Sequence, residues 1–580
     1  MDERRTALGP PAPSRRPWRL GAALLLLPAT AFLALFYFYP LGAILQLSLA
    51  RAEDGPLATV AATLGSPIYR SIVGFTFWQA GLSTLATLLV GLPGAYLFAR
   101  FRFRGQALLR ALTAAPFVLP TLVVAAGFNA LLGPRGWVNL GLMALLNLDA
   151  PPVLFINTLG AIVLAHVFYN TTIVLRLVGD YWSRLDPRLV AAARALGANP
   201  WRSFWEITWP LLAPAVSAAA LLVFIFDFTS FGVILVLGGP RFATLETEVY
   251  RQTVFLFNLP VAAVLALLQL GLTLALTLIY ARLSARVSVP VSLRSQSAVR
   301  RPLTTRRARL AAGLLAGLLG LLLLAPMLAL ALRSVVRLEA ERGQTGPVQP
   351  GFTLAYYREL AQNTRSTLFF VPPAAAIGNS LATAGAVVAL ALALGLPTAW
   401  VLIRPGPGAR ALDALLMLPL GTSAVTLGLG FIVALDTPPL DLRASPVMLP
   451  LAHTLVALPF VVRSLAPALR SIRPRLRQAA AVLGAPPARV WREVDLPLVG
   501  RAVLVAATFA FTLSLGEFGA TAILARPENP TVPIVIYRFL SLPGALNYGQ
   551  AMALSTILML VCAVGILGIE RIRVGEVGEF

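Results

Sequence analysis

The sequence predicts an all-α polytopic membrane protein of about twelve transmembrane helices, arranged as two homologous six-span halves. Three observations carry that expectation. The 580 residues are 58% hydrophobic and 12% charged, with a mean hydropathy of +0.80, whereas a soluble domain holds about a quarter charged residues. Long apolar stretches, many reaching the ~20 residues that cross a bilayer, alternate with short loops rich in arginine and proline. The motifs of one half recur in the other at a fixed shift of 287 residues. Barrel strands would be shorter and would alternate in polarity, and no such alternation is seen.

The spans fall at 20–47, 73–99, 111–133, 153–175, 210–238 and 259–280, then at 310–332, 377–402, 412–435, 447–469, 498–524 and 548–569. The first follows "SRRPWRL", which resembles a twin-arginine or secretory signal only loosely. Its apolar run is too long for a signal and no clear cleavage site follows, so it reads as an uncleaved span. Between the sixth and seventh spans lies a polar, Ser/Arg-rich stretch without apolar periodicity. It reads as a linker at 286–309 between a first half at 1–285 and a second at 310–580. The longest loop on the far side, 333–376, is too short to be a substrate-binding domain.

All 47 basic residues are arginine, and the net charge is +23. Roughly 34 of the arginines fall on one side of this topology, which marks that side as cytoplasmic. Both termini and the two polar repeats lie there. The charge therefore reads as orientation and contact with anionic lipid, and no nucleic-acid partner is expected. Without lysine the chain cannot be a conventional P-loop ATPase, nor can it form a lysine Schiff base. Cys562 is the single cysteine, which excludes an internal disulfide and a cysteine-based metal cluster.

The repeat is specific. Gly197 pairs with Gly484, Pro210 with Pro497, Leu164–His166 with Leu451–His453, and Arg176 with Arg463. Phe231-Gly232 pairs with Phe518-Gly519, Pro240 with Pro527, and Tyr250-Arg251 with Tyr537-Arg538. Two copies in the same orientation imply a pseudo-two-fold axis along the membrane normal.

The most polar repeated stretches begin at Pro187 and Pro474, within loops spanning about 187–211 and 474–498. Leu189, Ala192, Ala193 and Leu196 form one narrow apolar helix face, as do Leu476, Ala479, Ala480 and Leu483. Arg188 and Arg194, like Arg475 and Arg477, leave that stripe. Gly197 and Gly484 then end each helix, because glycine accepts the left-handed conformation of a C-cap. Pro200 and Pro487 turn the chain, and Pro210 and Pro497 are placed in the first turn of the next span. One such helix could simply rest among lipid headgroups. Two matched ones favour a paired docking surface for a two-fold partner.

Asp227 and Glu517 are acids inside apolar spans, a costly placement that usually faces a cavity or a partner. After the 287 shift Glu517 corresponds to Ser230. Two readings stand: the acids line a pathway from opposite halves, with Phe231 and Phe518 as gate side chains, or each lies solvated or paired near a membrane face. His166 and His453, the only histidines, are too few to make a metal site and read as helix-packing hydrogen-bond groups. Arg176 and Arg463 are expected to snorkel to the interface. No cluster of catalytic side chains is visible.

The two polar segments resemble the EAA loop of binding-protein-dependent ABC transporter permeases, whose pattern is E-A-A, three residues, G, a longer gap, then L-P. Here Ala192-Ala193-Gly197 leads to Trp209-Pro210, and Ala479-Ala480-Gly484 leads to Leu496-Pro497. The sequence departs at Ala191 and Gln478, where the family has glutamate, and at Trp209. The resemblance extends over nearly the whole chain to the fused permeases of the thiamine and ferric-iron types. "FTFWQA" (75–80), "LAHVFYN" (164–170) and "FTSFGVILVLGGPRFATLETEVYRQT" (228–253) look most like the thiamine group.

That likeness implies a type I importer permease of a prokaryotic inner membrane. In the family the loop is a coupling helix that docks on the ATPase. It further implies two copies of a separate ATPase subunit carrying the ATP and Mg, and an extracytoplasmic solute-binding protein. The chain itself would need no cofactor and perform no covalent chemistry. The solute would be thiamine, a thiamine phosphate or ferric iron. An ion-coupled secondary transporter with two six-span halves is the alternative, although that class should carry more ionisable groups within its spans.

Overall fold

Leucine, alanine and valine dominate the apolar stretches. In a bilayer such stretches satisfy every backbone group internally only by coiling into helices. The computed structural model describes residues 16–50, 57–113, 116, 119–287, 300–338, 351–362, 372–403, 407–436, 440–443 and 445–574. Both termini, half of the 286–309 linker and much of the 333–376 loop lie outside them.

Ten helices among the described residues are long and apolar enough to cross a membrane, and one bent pair makes eleven. In chain order the first half contains α1 (Leu24–Leu49), α2 (Pro67–Arg100), α3 (Gln106–Leu112), α4 (Thr121–Leu132), α5 (Leu159–Arg184), α6 (Pro187–Ala195), α7 (Pro200–Phe228), α8 (Leu245–Val254) and α9 (Leu259–Ser284). The second contains α10 (Arg306–Arg333), α11 (Pro373–Leu402), α12 (Ala411–Gly421), α13 (Ala424–Ala434), α14 (Met448–Ser471), α15 (Pro474–Val482), α16 (Pro487–Gly516), α17 (Val532–Ser541) and α18 (Ala545–Gly565).

This differs from twelve straight spans at two places, and proline is the reason. The span expected at 111–133 is two short helices, α3 and α4, separated by a stretch holding Pro116 and Pro120. The span at 412–435 is bent by 96° between α12 and α13, just past Pro419. A proline inside a helix removes a donor and clashes with the preceding turn, so apolar length alone overstated the number of continuous spans.

A second correction concerns Pro210 and Pro497. They do not open a span, because α7 and α16 begin ten residues earlier, at Pro200 and Pro487. Both helices also end earlier than expected, at Phe228 and Gly516. The prolines sit inside, each just after a π-helical turn, Phe204–Thr208 or Trp491–Asp495. Trp209 N–H bonds to Phe204 O and Leu496 N–H to Trp491 O, five residues back instead of four. The wider turn makes room for the ring, so the helix passes the proline without breaking. Pro40 repeats the device after the π turn Ala34–Phe38.

Within each half the second, fourth and fifth spans pack on one another: α2 with α5 and α7, and α11 with α14 and α16. The first span of each half packs across the molecule. Helix α1 lies on α11 and α13 of the second half, and α10 lies on α4 of the first. Each crossing has a glycine against a proline. A Cβ on Gly127 would stand 2.9 Å from Pro326 O, and one on Gly430 would stand 3.0 Å from Pro40 Cβ. Trp137 Nε1 donates to Ala329 O at 3.1 Å beside the first crossing. The halves are thus clasped by exchanged helices.

Side chains at those glycines would overpack the crossings, at a cost of about 1–3 kcal/mol each. Gly127→Leu and Gly430→Leu are each expected to lower the thermal unfolding temperature of the detergent-solubilised chain. Gly42→Leu, at a glycine with open space beside it, should leave it unchanged.

Candidate functional site

The polar repeats form α6 and α15, and none of their residues is buried. Gly197 and Gly484 have φ of +90° and +79°. The chain ends each helix with the same pair of bonds. Gly197 N–H reaches Arg194 O and Ala198 N–H reaches Ala193 O, both at 3.0 Å; Gly484 N–H and Ala485 N–H reach Ala481 O and Ala480 O likewise. This Schellman arrangement needs the left-handed residue that glycine supplies.

Leu196 and Leu483 stand at the tips, 90% and 86% exposed. Ala192 and Ala479 are exposed, and Ala193 and Ala480 half-buried. The following spans carry matched pairs, Arg202–Glu206 at 2.9 Å and Arg489–Glu493 at 3.0 Å. Only the second half adds Arg477–Asp495 at 2.7 Å, tying α15 to α16; Val190 and Thr208 occupy the corresponding places.

The sequence-derived interior residues converge where the halves meet. Helix α7 ends at Phe228 and α16 at Gly516, and the chain breaks before continuing. The Phe231 and Phe518 rings project from these breaks and stack across the molecule, centroids 5.4 Å apart at 23°. Tyr250 flanks Phe231 at 5.2 Å and Tyr537 flanks Phe518 at 5.6 Å. The result is a column of four rings, two from each half.

Beside the column is a cavity of about 380 Å³ whose wall includes Asp227, Ser230, Glu246, Ser423 and Glu517. Asp227 is fully buried. Asn170 Nδ2 donates to its Oδ1 at 2.7 Å, and its Oδ2 has no partner. Glu517 accepts from Ala520 N–H at 3.0 Å and Thr521 N–H at 3.1 Å, capping the short helix after the break. Glu246, at the start of α8, accepts from Gln269 and from Ser423 of the other half. Neither Asp227 nor Glu517 lies at a solvated face.

Both histidines face these acids. His166 lies 3.4 Å from Asp227 Oδ1, and His453 lies 3.1 Å from Glu517 Oε2. Among the described residues no group of three His, Cys, Asp or Glu could hold a metal ion. Glu246, Ser423 and the two tyrosines were not singled out from the sequence. The Tyr-Arg pairs were visible as repeats, but nothing local said that their rings would meet the phenylalanines. Glu246 sits in a short helix between spans that hydropathy does not register.

These features define a class: a helical membrane permease whose two related halves enclose an internal cavity and each carry an exposed, glycine-ended helix. Residues 91–289 match the family described as binding-protein-dependent transport system inner membrane component. The thiamine transport system permease protein ThiP of Brucella abortus (strain 2308) is 30% identical over 563 residues, covering 96% of this chain and 95% of its own. ThiP of Escherichia coli (strain K12) is 28% identical, covering 86% of this chain and 88% of its own. Among solved structures, a chain of a bacterial alginate ABC transporter aligns with 48% of this chain and 98% of its own, at 19% identity and a TM-score of 0.39.

The chain belongs to the binding-protein-dependent inner-membrane permease family. It is a fused, two-half permease of an ABC importer and a multi-pass inner-membrane protein, not an ion-coupled secondary transporter.

Proposed function

We propose that this permease carries a small organic cation of the thiamine type through the interface between its halves. In this reading a solute-binding protein delivers the solute and a separate ATPase pair drives the cycle. The cavity lining is the observation that carries the choice of solute. It holds three acidic side chains, Asp227, Glu246 and Glu517, six aromatic rings and no arginine. In a low-dielectric interior such a wall favours a flat cation, through charge and through the faces of the rings, over an anion. The names of the full-length relatives point the same way. Ferric iron fits less well, because the acids are spread around the wall rather than gathered as ligands.

The stacked Phe231 and Phe518 close the pathway, and α6 and α15 receive the ATPase dimer on their exposed alanine and leucine faces. Without the usual glutamate at Ala191 and Gln478, docking relies on those apolar tips and on the arginines beside them. Both termini are assigned to the same cytoplasmic face.

Two measurements test this. Proteoliposomes containing the permease, its ATPase and its binding protein should take up radiolabelled thiamine in an ATP-dependent way. ATP-dependent uptake of ferric iron with none of thiamine would overturn the solute. Gly197→Val or Gly484→Val strains the left-handed cap by roughly 1–2 kcal/mol. Each should leave the chain inserted while abolishing solute-stimulated ATP hydrolysis, and unchanged stimulation would contradict the docking role.

A further inference from the structure

The two buried histidines occupy the same place in their halves, but the groups around them have changed sides. In the first half Nδ1 of His166 meets Ser83 Oγ at 2.9 Å and Asp227 Oδ1 at 3.4 Å, and Nε2 meets Ser230 Oγ at 2.9 Å. In the second, Nδ1 of His453 meets Ser514 Oγ at 2.9 Å. Its Nε2 meets Thr521 Oγ1 at 2.8 Å and Glu517 Oε2 at 3.1 Å. The 287 shift sets Ser514 opposite Asp227 and Glu517 opposite Ser230. Acid and serine have been transposed.

The accompanying hydroxyl moves with the acid. Ile234 stands where the second half has Thr521. Val387 stands where the first has Ser83, in the register that pairs Thr76 with Ser380, which both accept the opening N–H of the following short helix. Each ring therefore has one nitrogen facing an acid with a hydroxyl, and the other facing a lone serine. A neutral imidazole offers one donor and one acceptor, and it serves either arrangement by changing which nitrogen carries the proton.

We propose that His166 and His453 are positioning residues that pin the helix breaks bearing Phe231 and Phe518, and that the acid works from either side of the ring. Ser230 and Glu517, the Nε2 partners, immediately precede the two phenylalanines. The histidine on the fourth span thus bridges the last turn of the fifth span and the break that follows it. A break inside the bundle leaves backbone groups short of helical partners, and the ring fixes where the chain departs. An acid here is costly. Each half nonetheless holds one, on opposite sides, so the contact with imidazole matters rather than the position. This rests on the reading of the phenylalanine pair as a gate.

The test is efflux of trapped choline from liposomes containing the full-length chain alone, which depends on no assumption about the transported solute. Loss of one buried partner should shift the closed–open balance about tenfold or more. Asp227→Ser should therefore leak about tenfold faster than wild type, and Asp227→Ser/Ser230→Glu, which reproduces the acid–serine exchange of the second half, should return to near the wild-type rate. A tight Asp227→Ser protein, or a double variant as leaky as the single, overturns the latch. If the single variant yields no folded chain, recovery of folded chain by the double supports the proposal and failure to recover it overturns it. Phe231→Ala separates the two readings. A tight Phe231→Ala protein sinks the gate itself, whereas a leaky one beside a tight Asp227→Ser sinks only the latch.

Discussion

One break at the end of the fifth span of each half, after Phe228 in the first and after Gly516 in the second, governs the interior of this protein. An apolar bundle tolerates non-helical backbone only where protein or a cavity satisfies it. Here the breaks turn two phenylalanines toward each other and open a cavity beside them. The acids, amides and histidines that would otherwise be expensive in an apolar core are gathered at these points. Asn170 and His166 serve the first break; Ser514, Thr521 and the capping carboxylate of Glu517 serve the second.

The same interior depends on how the halves are held. The exchanged first spans, seated through Gly127 against Pro326 and Gly430 against Pro40, place each half on a helix of the other. Tyr37 and Thr422 add a hydrogen bond of 2.7 Å across that boundary. Helices α6 and α15, the proposed docking surface, have by contrast no buried residue. A surface so loosely bound to its own chain is suited to moving with a partner. In the second half Arg477 and Asp495 add an ion pair that ties α15 to α16.

Much of this was legible in the residues, and the reasons for the failures are physical. Glycine-ended helices at Gly197 and Gly484 could be read because the C-cap signal is local. The duplication could be read because Phe-Gly, Tyr-Arg and Leu-Ala-His hold one register. Continuous spans at 111–133 and 412–435 could not be trusted, because hydropathy counts apolar residues and ignores what Pro116, Pro120 and Pro419 do to the backbone. Pro210 misled in the opposite direction. It resembles a helix start, yet a π turn lets the helix run through it. The contacts of Glu246 with Ser423 and of Tyr250 with Phe231 are tertiary, and no spacing announces them.

If solute passes between Phe231 and Phe518, the two rings must separate in each cycle. The direct measurement is ATP-driven uptake by the reconstituted importer carrying Phe231→Cys and Phe518→Cys in a Cys562→Ser background, before and after oxidative cross-linking. Uptake should stop in proportion to the cross-linked fraction and return when the link is reduced. Uptake that continues with the pair fully cross-linked would place the pathway elsewhere.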